Sequence, residues 1–167
     1  MIPPNMPQPR GDSLSTHCFV YTNNAGNKVT RWSQTEILIF VNKAPIITFS
    51  KRQNTVETST FGSEFTALKS AVELVEALRY KVHMFGVTIG GPTNVFCDNE
   101  SVYKNVSTPE SVLKKKHQSI AYHPCSEAVA ASMIRIAKEP PATNLSDLFT
   151  KILPQVVREK LFDWFTY

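Results

Sequence analysis

Three acidic side chains stand where they could carry out metal-assisted chemistry: Glu64, Asp98 and Asp147. Glu64 follows Phe61 by three residues and precedes Leu68 by four, so on a helix it borders the apolar stripe. A carboxylate in that place needs a partner or a metal ion to offset its desolvation. The alternative is that Glu64 lies in the first turn and only favours the helix dipole.

Asp98 and Asp147 also have a structural interpretation beside the chemical one. Asp98 ends a short apolar segment, and ligands of α/β sheets gather beyond the carboxyl ends of strands. An Asp-Asn turn that opens the next helix explains Asp98 equally well. Asp147 follows Asn144 by three residues, where it can cap a helix or favour its dipole. Each acid is weak evidence alone, but the three together favour a metal site.

The elements that must position these acids are predicted from hydrophobic periodicity. Apolar residues at spacings of three and four predict a long helix over 60–84, capped by Ser59 or Thr60 and followed by Gly86. Short apolar runs predict the strands, and the "NKA" turn predicts a hairpin between the second and third of them. In chain order we predict strands at 17–22, 35–42 and 45–51, the long helix, a strand at 93–97, helices at 99–106 and 110–131, a strand at 133–139, a helix carrying Asp147 and a closing amphipathic helix. This order describes an α/β fold.

Composition and charge limit the class of protein. A chain of 167 residues with 42% hydrophobic and 19% charged residues suits one domain with a real core. The net charge of +4 makes an anionic partner plausible without requiring one. Three cysteines without a CxxC pair argue against a disulfide framework or zinc knuckle and favour a reducing compartment. With neither a membrane-spanning run nor a signal-peptide pattern, we expect an intracellular protein, cytoplasmic or nuclear, with no membrane partner.

Four sequence blocks in a fixed order resemble the ribonuclease H domain of copia-type retrotransposon polyproteins. They are "PIITFSKRQNTVETSTFGSEFTAL", "TNVFCDNESVYKNV", "LKKKHQSIAYH" and "TNLSDLFTKILP". The resemblance implies a ribonuclease H-like fold, a five-stranded mixed sheet with helices on both faces. It also implies endonucleolytic hydrolysis of the RNA strand of an RNA–DNA hybrid, using two Mg²⁺ ions held by carboxylates. In that family the domain follows a reverse transcriptase, which is therefore an expected partner. We divide the chain into a Pro-rich linker or tail (1–16), the ribonuclease H-like domain (17–154) and a C-terminal amphipathic helix (155–167).

The resemblance assigns the metal ligands and reveals that one is missing. Carried over by motif, Glu64, Asp98 and Asp147 are metal ligands and catalytic residues. The family's first aspartate belongs to a "VDADWAG"-like motif on strand one, and alignment on its Ala-Gly pair puts Tyr21 at that aspartate and Asn23 at the second acid. A phenol has a reference pKa of about 10 and is neutral at pH 7. We therefore expect weakened Mg²⁺ binding and a large loss of rate.

Two further departures from the family pattern point the same way. Glu36 stands where family members usually have glycine, and Pro124 lies well inside a predicted helix, where proline costs about 3 kcal/mol unless the helix breaks. Asp12 in the N-terminal segment can reach Tyr21 along nine positions of chain, but nothing in the sequence holds it there. Together these departures suggest a decayed copy of an enzyme.

The substrate-binding side is better preserved. A basic run can meet phosphates, although a solvated helix face is the simpler interpretation of such a run. Its members are Lys114, Lys115, Lys116 and His117. We expect Arg135 and Lys138 on the neighbouring strand to extend this surface, and Asn99 can bind a sugar or close the loop after Asp98. The alternative to an impaired enzyme is a catalytically dead module that binds a hybrid or another nucleic acid.

Overall fold

The structure, a computed structural model, describes residues 11–24, 32–54, 59–107 and 119–138, with helical positions also at 155, 156 and 159. Its elements are β1 (Thr16–Asn23), β2 (Gln34–Val41), β3 (Ala44–Arg52), α1 (Thr60–Met84), β4 (Thr93–Cys97), α2 (Glu100–Ser107), α3 (Ser119–Ala130) and β5 (Ile134–Lys138). The predicted elements in these ranges are confirmed with small shifts at their ends. The first part of the helix predicted over 110–131, the helix predicted around Asp147 and most of the closing helix fall outside the described residues. The division of the chain into three segments stays a prediction.

The five strands form one mixed sheet in the order β3-β2-β1-β4-β5. β1 pairs antiparallel with β2 and parallel with β4, while β2 pairs antiparallel with β3 and β4 pairs parallel with β5. The predicted hairpin between β2 and β3 is present, and Asn42 in its turn has a positive φ of 54°, which asparagine tolerates better than most residues. The fold is therefore α/β, with the antiparallel strands at one edge of the sheet.

Alternating side chains along the strands build a core on the face that α1 covers. Cys18, Val20 and Ile37 form one buried cluster with Phe65 and Leu68 of α1. Burying each large apolar side chain contributes about 1.5–3 kcal/mol. This face therefore fixes α1 against the middle of the sheet.

The opposite face of the sheet is also apolar near its centre. Phe19 stacks on Phe96 with ring centroids 4.9 Å apart and meets Phe40 edge-on at 5.9 Å. Leu38 on the same face has no exposed surface. Residues with buried apolar side chains thus occupy both faces, as in sheets covered on both sides.

Helix α1 begins and ends where the sequence predicts. The Ser59 hydroxyl accepts a hydrogen bond from the Gly62 backbone N–H at 3.2 Å, which makes Ser59 the N-cap. Gly86 follows the last turn with φ 75°, a left-handed conformation in which glycine is least strained. No helix in the part of the chain that the structure describes is long and apolar enough to cross a membrane.

Pro124 lies inside α3, and the helix continues through it from Ser119 to Ala130. Its neighbours Cys125 and Ala128 are fully buried against the core that α1 and α3 share. Tertiary packing therefore maintains a helix whose backbone lacks one hydrogen bond. Pro124 is expected to lower the free energy of unfolding without changing the course of the chain.

Candidate active site

The N-terminal end of α1 is tied to β1, and this tie positions Glu64. The Ser63 carbonyl accepts hydrogen bonds from Gln53 Nε2 at 2.7 Å and from Thr22 Oγ1 at 3.4 Å. Glu64 is the next residue and is half-buried, and the first turn of α1 contains no acid. The helix-dipole interpretation of Glu64 is therefore wrong, and the interpretation as a desolvated carboxylate is supported.

Glu64 and Asp98 are close enough to repel each other. Burial is the main cause that raises the pKa of Glu64 to about 7, and the charge of Asp98 is the second. A side-chain hydrogen bond from Asn99 acts in the opposite direction and lowers this pKa. Glu64 Oε2 is buried and has no hydrogen-bond partner within the described ranges. Burial, then the charges of both acids, also raise the pKa of Cys97 to about 12. Two like charges with one unsatisfied oxygen form an arrangement that a cation would relieve.

Asn99 has a structural role in addition to its contact with Glu64. Its Oδ1 accepts hydrogen bonds from the backbone N–H groups of Ser101 at 2.8 Å and Val102 at 3.3 Å. Asn99 therefore caps α2, as the loop-closing interpretation expects. Binding of a substrate sugar by Asn99 stays a prediction.

Tyr21 lies on β1 just beyond the part of that strand that pairs with β4. The parallel pairing ends at Phe19 and Phe96, two residues before Tyr21 and Asp98, and strand alternation puts Tyr21 on the Phe19 face of the sheet rather than on the face that α1 covers. On its other side Tyr21 pairs directly with Glu36 of β2. The half-buried phenol thus occupies the strand position at which the sequence motif lacks its aspartate. Asn23 is two residues further along β1 and lies on the same face.

Glu36 is a buried acid that sequence reasoning did not place in the site. It has no exposed surface, and its Oε1 accepts a hydrogen bond from the Ser50 hydroxyl at 3.1 Å. Its Oε2 has no hydrogen-bond partner among the residues described, and burial raises the pKa of Glu36. The signal in the sequence is one acid within the otherwise apolar strand "TEILIFV", on the side that faces Tyr21.

The described residues supply two carboxylates to the candidate metal site and not three. No group of three His, Cys, Asp or Glu side chains close enough to hold a metal occurs among them. Asp147 falls outside the described residues, as does the basic run of Lys114, Lys115, Lys116 and His117. Their predicted roles stay predictions.

Asp12 cannot replace the missing acid. It precedes the first residue of β1, whereas Tyr21 lies five residues beyond Thr16 on the extended strand, about 16 Å further at about 3.3 Å per residue. The position of Asp12 therefore agrees with the expectation that nothing holds it at the missing acid.

The two cations of β5 do not form one surface. Arg135 and Lys138 are three residues apart on a strand, so their side chains leave opposite faces of the sheet. Lys138 pairs with Glu100 at 3.1 Å, and Glu100 also pairs with Lys104 at 2.7 Å. The expectation that Arg135 and Lys138 act together is wrong because strand alternation separates them.

Comparison with solved structures defines the fold class. Ribonuclease H1 from Halobacterium salinarum aligns with a TM-score of 0.59 and 13% identity, covering 79% of this chain and 90% of that one. The N-terminal ribonuclease H domain of a Mycobacterium tuberculosis protein, solved as a fusion with maltose-binding protein, gives 0.60 and 15%, covering 90% and 98%. LC11 ribonuclease H1, solved with an RNA/DNA hybrid, gives 0.58 and 14%, covering 79% and 88%. The chain has a ribonuclease H-like fold.

Comparison with curated proteins gives the relatives. The retrovirus-related Pol polyprotein from transposon RE1 of Arabidopsis thaliana is 24% identical over 144 residues, and that from transposon RE2 is 22% identical over 147. These matches cover 86% and 88% of this chain but only 10% of each polyprotein. No protein-family model matches the chain. The chain is thus a ribonuclease H-like domain related to retrotransposon Pol polyproteins, as its motifs predict.

Proposed function

We propose that this chain is the ribonuclease H domain of a copia-type Pol polyprotein in which hydrolysis of RNA–DNA hybrids is impaired. The observation that carries the proposal is the register of β1 and β4: the two strands pair as far as Phe19 and Phe96, two residues before Tyr21 and Asp98, and Asp98 is close enough to Glu64 to raise its pKa. Positions 21, 64 and 98 hold a tyrosine and two carboxylates, whereas the motif resemblance implies a carboxylate at each of them and a fourth at Asp147. The ancestral reaction is endonucleolytic cleavage of the RNA strand.

The two carboxylates fit one divalent cation. Glu64 Oε2 is buried without a hydrogen-bond partner in the described part of the chain, and Asp98 lies close enough to raise the pKa of Glu64. Carboxylate oxygens are the ligands that Mg²⁺ prefers, and a bound Mg²⁺ neutralises charge and polarises a phosphoryl oxygen. Asn99 restrains Glu64 through its hydrogen bond. The described residues fit two ions poorly, because the motif position of the first aspartate holds a tyrosine.

A nucleic acid is the proposed partner. LC11 ribonuclease H1 has the same fold and was solved with an RNA/DNA hybrid, and this chain carries a net charge of +4. Because the chain matches a tenth of each Pol polyprotein, we also propose a reverse transcriptase domain in the parent polyprotein as a partner. We propose an intracellular location, which the three free, buried cysteines support.

A catalytically dead nucleic-acid-binding module is the alternative function. The buried Glu36 favours this alternative. It pairs directly with Tyr21, so a carboxylate restored at position 21 would lie opposite another buried acid. In a binding module, the cationic residues still contact phosphate groups, while the acids of the metal site no longer have a catalytic role.

Mg²⁺-dependent cleavage of a labelled RNA–DNA hybrid tests the proposal. The proteins to compare are the wild type, Asp98→Asn and the control Glu100→Gln, which removes an exposed acid two residues away that pairs with Lys104 and Lys138. We expect wild-type cleavage to be at or near background. Robust wild-type cleavage that Asp98→Asn abolishes and Glu100→Gln retains would refute the impairment. Hybrid binding without cleavage in all three proteins would favour the binding module.

A further inference from the structure

A cavity lies at the end of the sheet opposite the Glu64–Asp98 pair. Its volume is about 340 Å³, and it opens between the segment before β1, the segment before β4 and the start of β5. We call it the Arg135 cavity, after the only charged side chain among its described lining residues. Asn94, which also lines it, precedes Asp98 by four residues on β4, about 13 Å at about 3.3 Å per residue. The cavity is therefore separate from the candidate active site.

Arg135 is held in a fixed orientation at this cavity. Its Nε and Nη2 atoms both donate to Asn94 Oδ1, at 3.0 Å and 2.7 Å. Asn94 Nδ2 in turn lies 3.3 Å from His17 Nδ1 on the neighbouring strand. Nη1 makes no hydrogen bond, and no carboxylate pairs with Arg135, within the residues that the structure describes. One edge of a restrained guanidinium group thus remains available to an anion.

The rest of the lining combines a hydroxyl group, an apolar wall and space created by glycine. Leu14 and Ile89 are joined by a parallel β-bridge and supply the apolar side. A Cβ atom on Gly90 would lie 2.9 Å from the hydroxyl oxygen of Ser13, so glycine at this position leaves room for that hydroxyl. Asp12 precedes Ser13 but does not line the cavity, whose described lining contains no acid. The lining therefore suits an anion that carries an organic group.

We propose that the Arg135 cavity binds the phosphate group of a nucleotide. The planar fork of a restrained arginine matches two phosphate oxygens, while Ser13 can bond to a sugar hydroxyl and Leu14 and Ile89 can contact the apolar part. The volume of about 340 Å³ exceeds the needs of a single phosphate and lies within the range of about 300–1,000 Å³ for small-molecule pockets.

The nucleotide has two possible sources, a free mononucleotide or a unit of a polynucleotide strand. The separation of about 13 Å along β4 corresponds to about four duplex steps of about 3.4 Å each. A strand that ran along β4 from the Glu64–Asp98 pair would be long enough to reach the cavity after these steps. The proposal does not depend on the ribonuclease activity, because the Arg135 cavity shares no residue with the acid pair.

Calorimetric titration of the full chain tests the proposal, with adenosine monophosphate, inorganic phosphate and a short single-stranded RNA as probes. The variants are Arg135→Gln, Arg135→Lys and the matched control Arg52→Gln, which removes an exposed guanidinium group that packs on Trp32 at 4.8 Å, away from the cavity. We expect adenosine monophosphate to bind the wild type and Arg52→Gln equally, and Arg135→Gln about tenfold more weakly. Arg135→Lys should fall between them, since lysine keeps the charge without the fork.

The outcomes distinguish a free nucleotide from a polynucleotide strand, and both from a failure of the proposal. If only the mononucleotide binds, and Arg135→Gln weakens that binding, the site is assigned to a free nucleotide. If the RNA binds more tightly than the mononucleotide, and Arg135→Gln weakens that binding too, the site is assigned to a strand. No binding of any probe, or equal losses in Arg135→Gln and Arg52→Gln, would overturn the proposal. Equal competition by acetate would also overturn it, because the cavity would then select any anion. Unchanged circular dichroism and melting temperature in each variant establish that the fold is retained.

Discussion

Restoring the missing carboxylate at position 21 is predicted to be insufficient while Glu36 remains. Tyr21→Asp restores a carboxylate at the motif position, but places it directly opposite Glu36, which is fully buried. The double variant Tyr21→Asp/Glu36→Gln removes that neighbour's charge and keeps an oxygen to accept the hydrogen bond from Ser50. We therefore expect the double variant to bind Mg²⁺ more tightly than Tyr21→Asp alone.

The size of the effect follows from the strand pairing. Directly opposed Cβ atoms in an antiparallel pair are about 4.5–5.5 Å apart. Two unit charges about 5 Å apart at an effective dielectric constant of about 20 repel by about 3 kcal/mol. That energy is about two pKa units, so the introduced carboxylate and Glu36 together would hold a proton more tightly than either acid alone, and Mg²⁺ would have to displace that proton. Removing the repulsion should tighten Mg²⁺ binding by about tenfold to a hundredfold.

The assay is calorimetric Mg²⁺ titration at pH 7, followed by cleavage of a labelled hybrid. The control is Glu36→Gln alone, which should leave Mg²⁺ binding at the wild-type level because Tyr21 still supplies no charge. If Tyr21→Asp binds Mg²⁺ as tightly as the double variant, the reasoning from the strand pairing of Tyr21 and Glu36 is refuted. If only the double variant cleaves the hybrid, both the tyrosine at position 21 and the acid at position 36 prevent activity in the wild type.

Three further predictions concern stability and reactivity. Because the folded state raises the pKa of Glu64 from 4.5 to about 7, it retains a proton that the unfolded chain releases, so metal-free stability should fall as pH rises across this interval. Glu64→Gln should abolish that fall and gain about 1–2 kcal/mol at pH 8 after allowance for solvent screening, measured by urea unfolding. Pro124→Ala should raise the free energy of unfolding by up to about 3 kcal/mol, measured by thermal melting, since α3 continues through this position. Burial raises the pKa of Cys97 and Cys125 to about 12 and that of Cys18 further, so a thiol reagent at pH 8 should label the native protein far more slowly than the unfolded chain.

Each of these predictions has an outcome that would contradict it. Parallel pH profiles for wild type and Glu64→Gln would mean that Glu64 is as well solvated in the folded chain as in the unfolded one. A lower melting temperature for Pro124→Ala would mean that the proline ring contributes more by packing than it costs in hydrogen bonding. Rapid labelling of the native thiols would mean that the core around them opens often.

The sequence by itself determined the elements and the fold class. The spacing of apolar residues encodes the helix over 60–84 and the short strands, because a helix and a strand each repeat with a fixed period. Ser59 and Gly86 set the ends of that helix through local hydrogen bonding and backbone freedom, which depend on near neighbours only. The motif blocks predicted the ribonuclease H-like fold, and a desolvated carboxylate was one of two interpretations that the sequence left open for Glu64.

The tertiary structure alone decided which distant residues meet. Strand register pairs Tyr21 with Glu36 and brings Asn94 beside both His17 and Arg135, although up to 77 residues separate these partners in the chain. Local periodicity cannot predict such pairs, because the alternation of side chains along a strand is the same in every register. Only the packing of α1 against the sheet selects one register. The separation of Arg135 from Lys138, in contrast, is a local consequence of strand alternation along β5. The chain thus encodes its elements locally, while the chemistry of its site depends on long-range pairing.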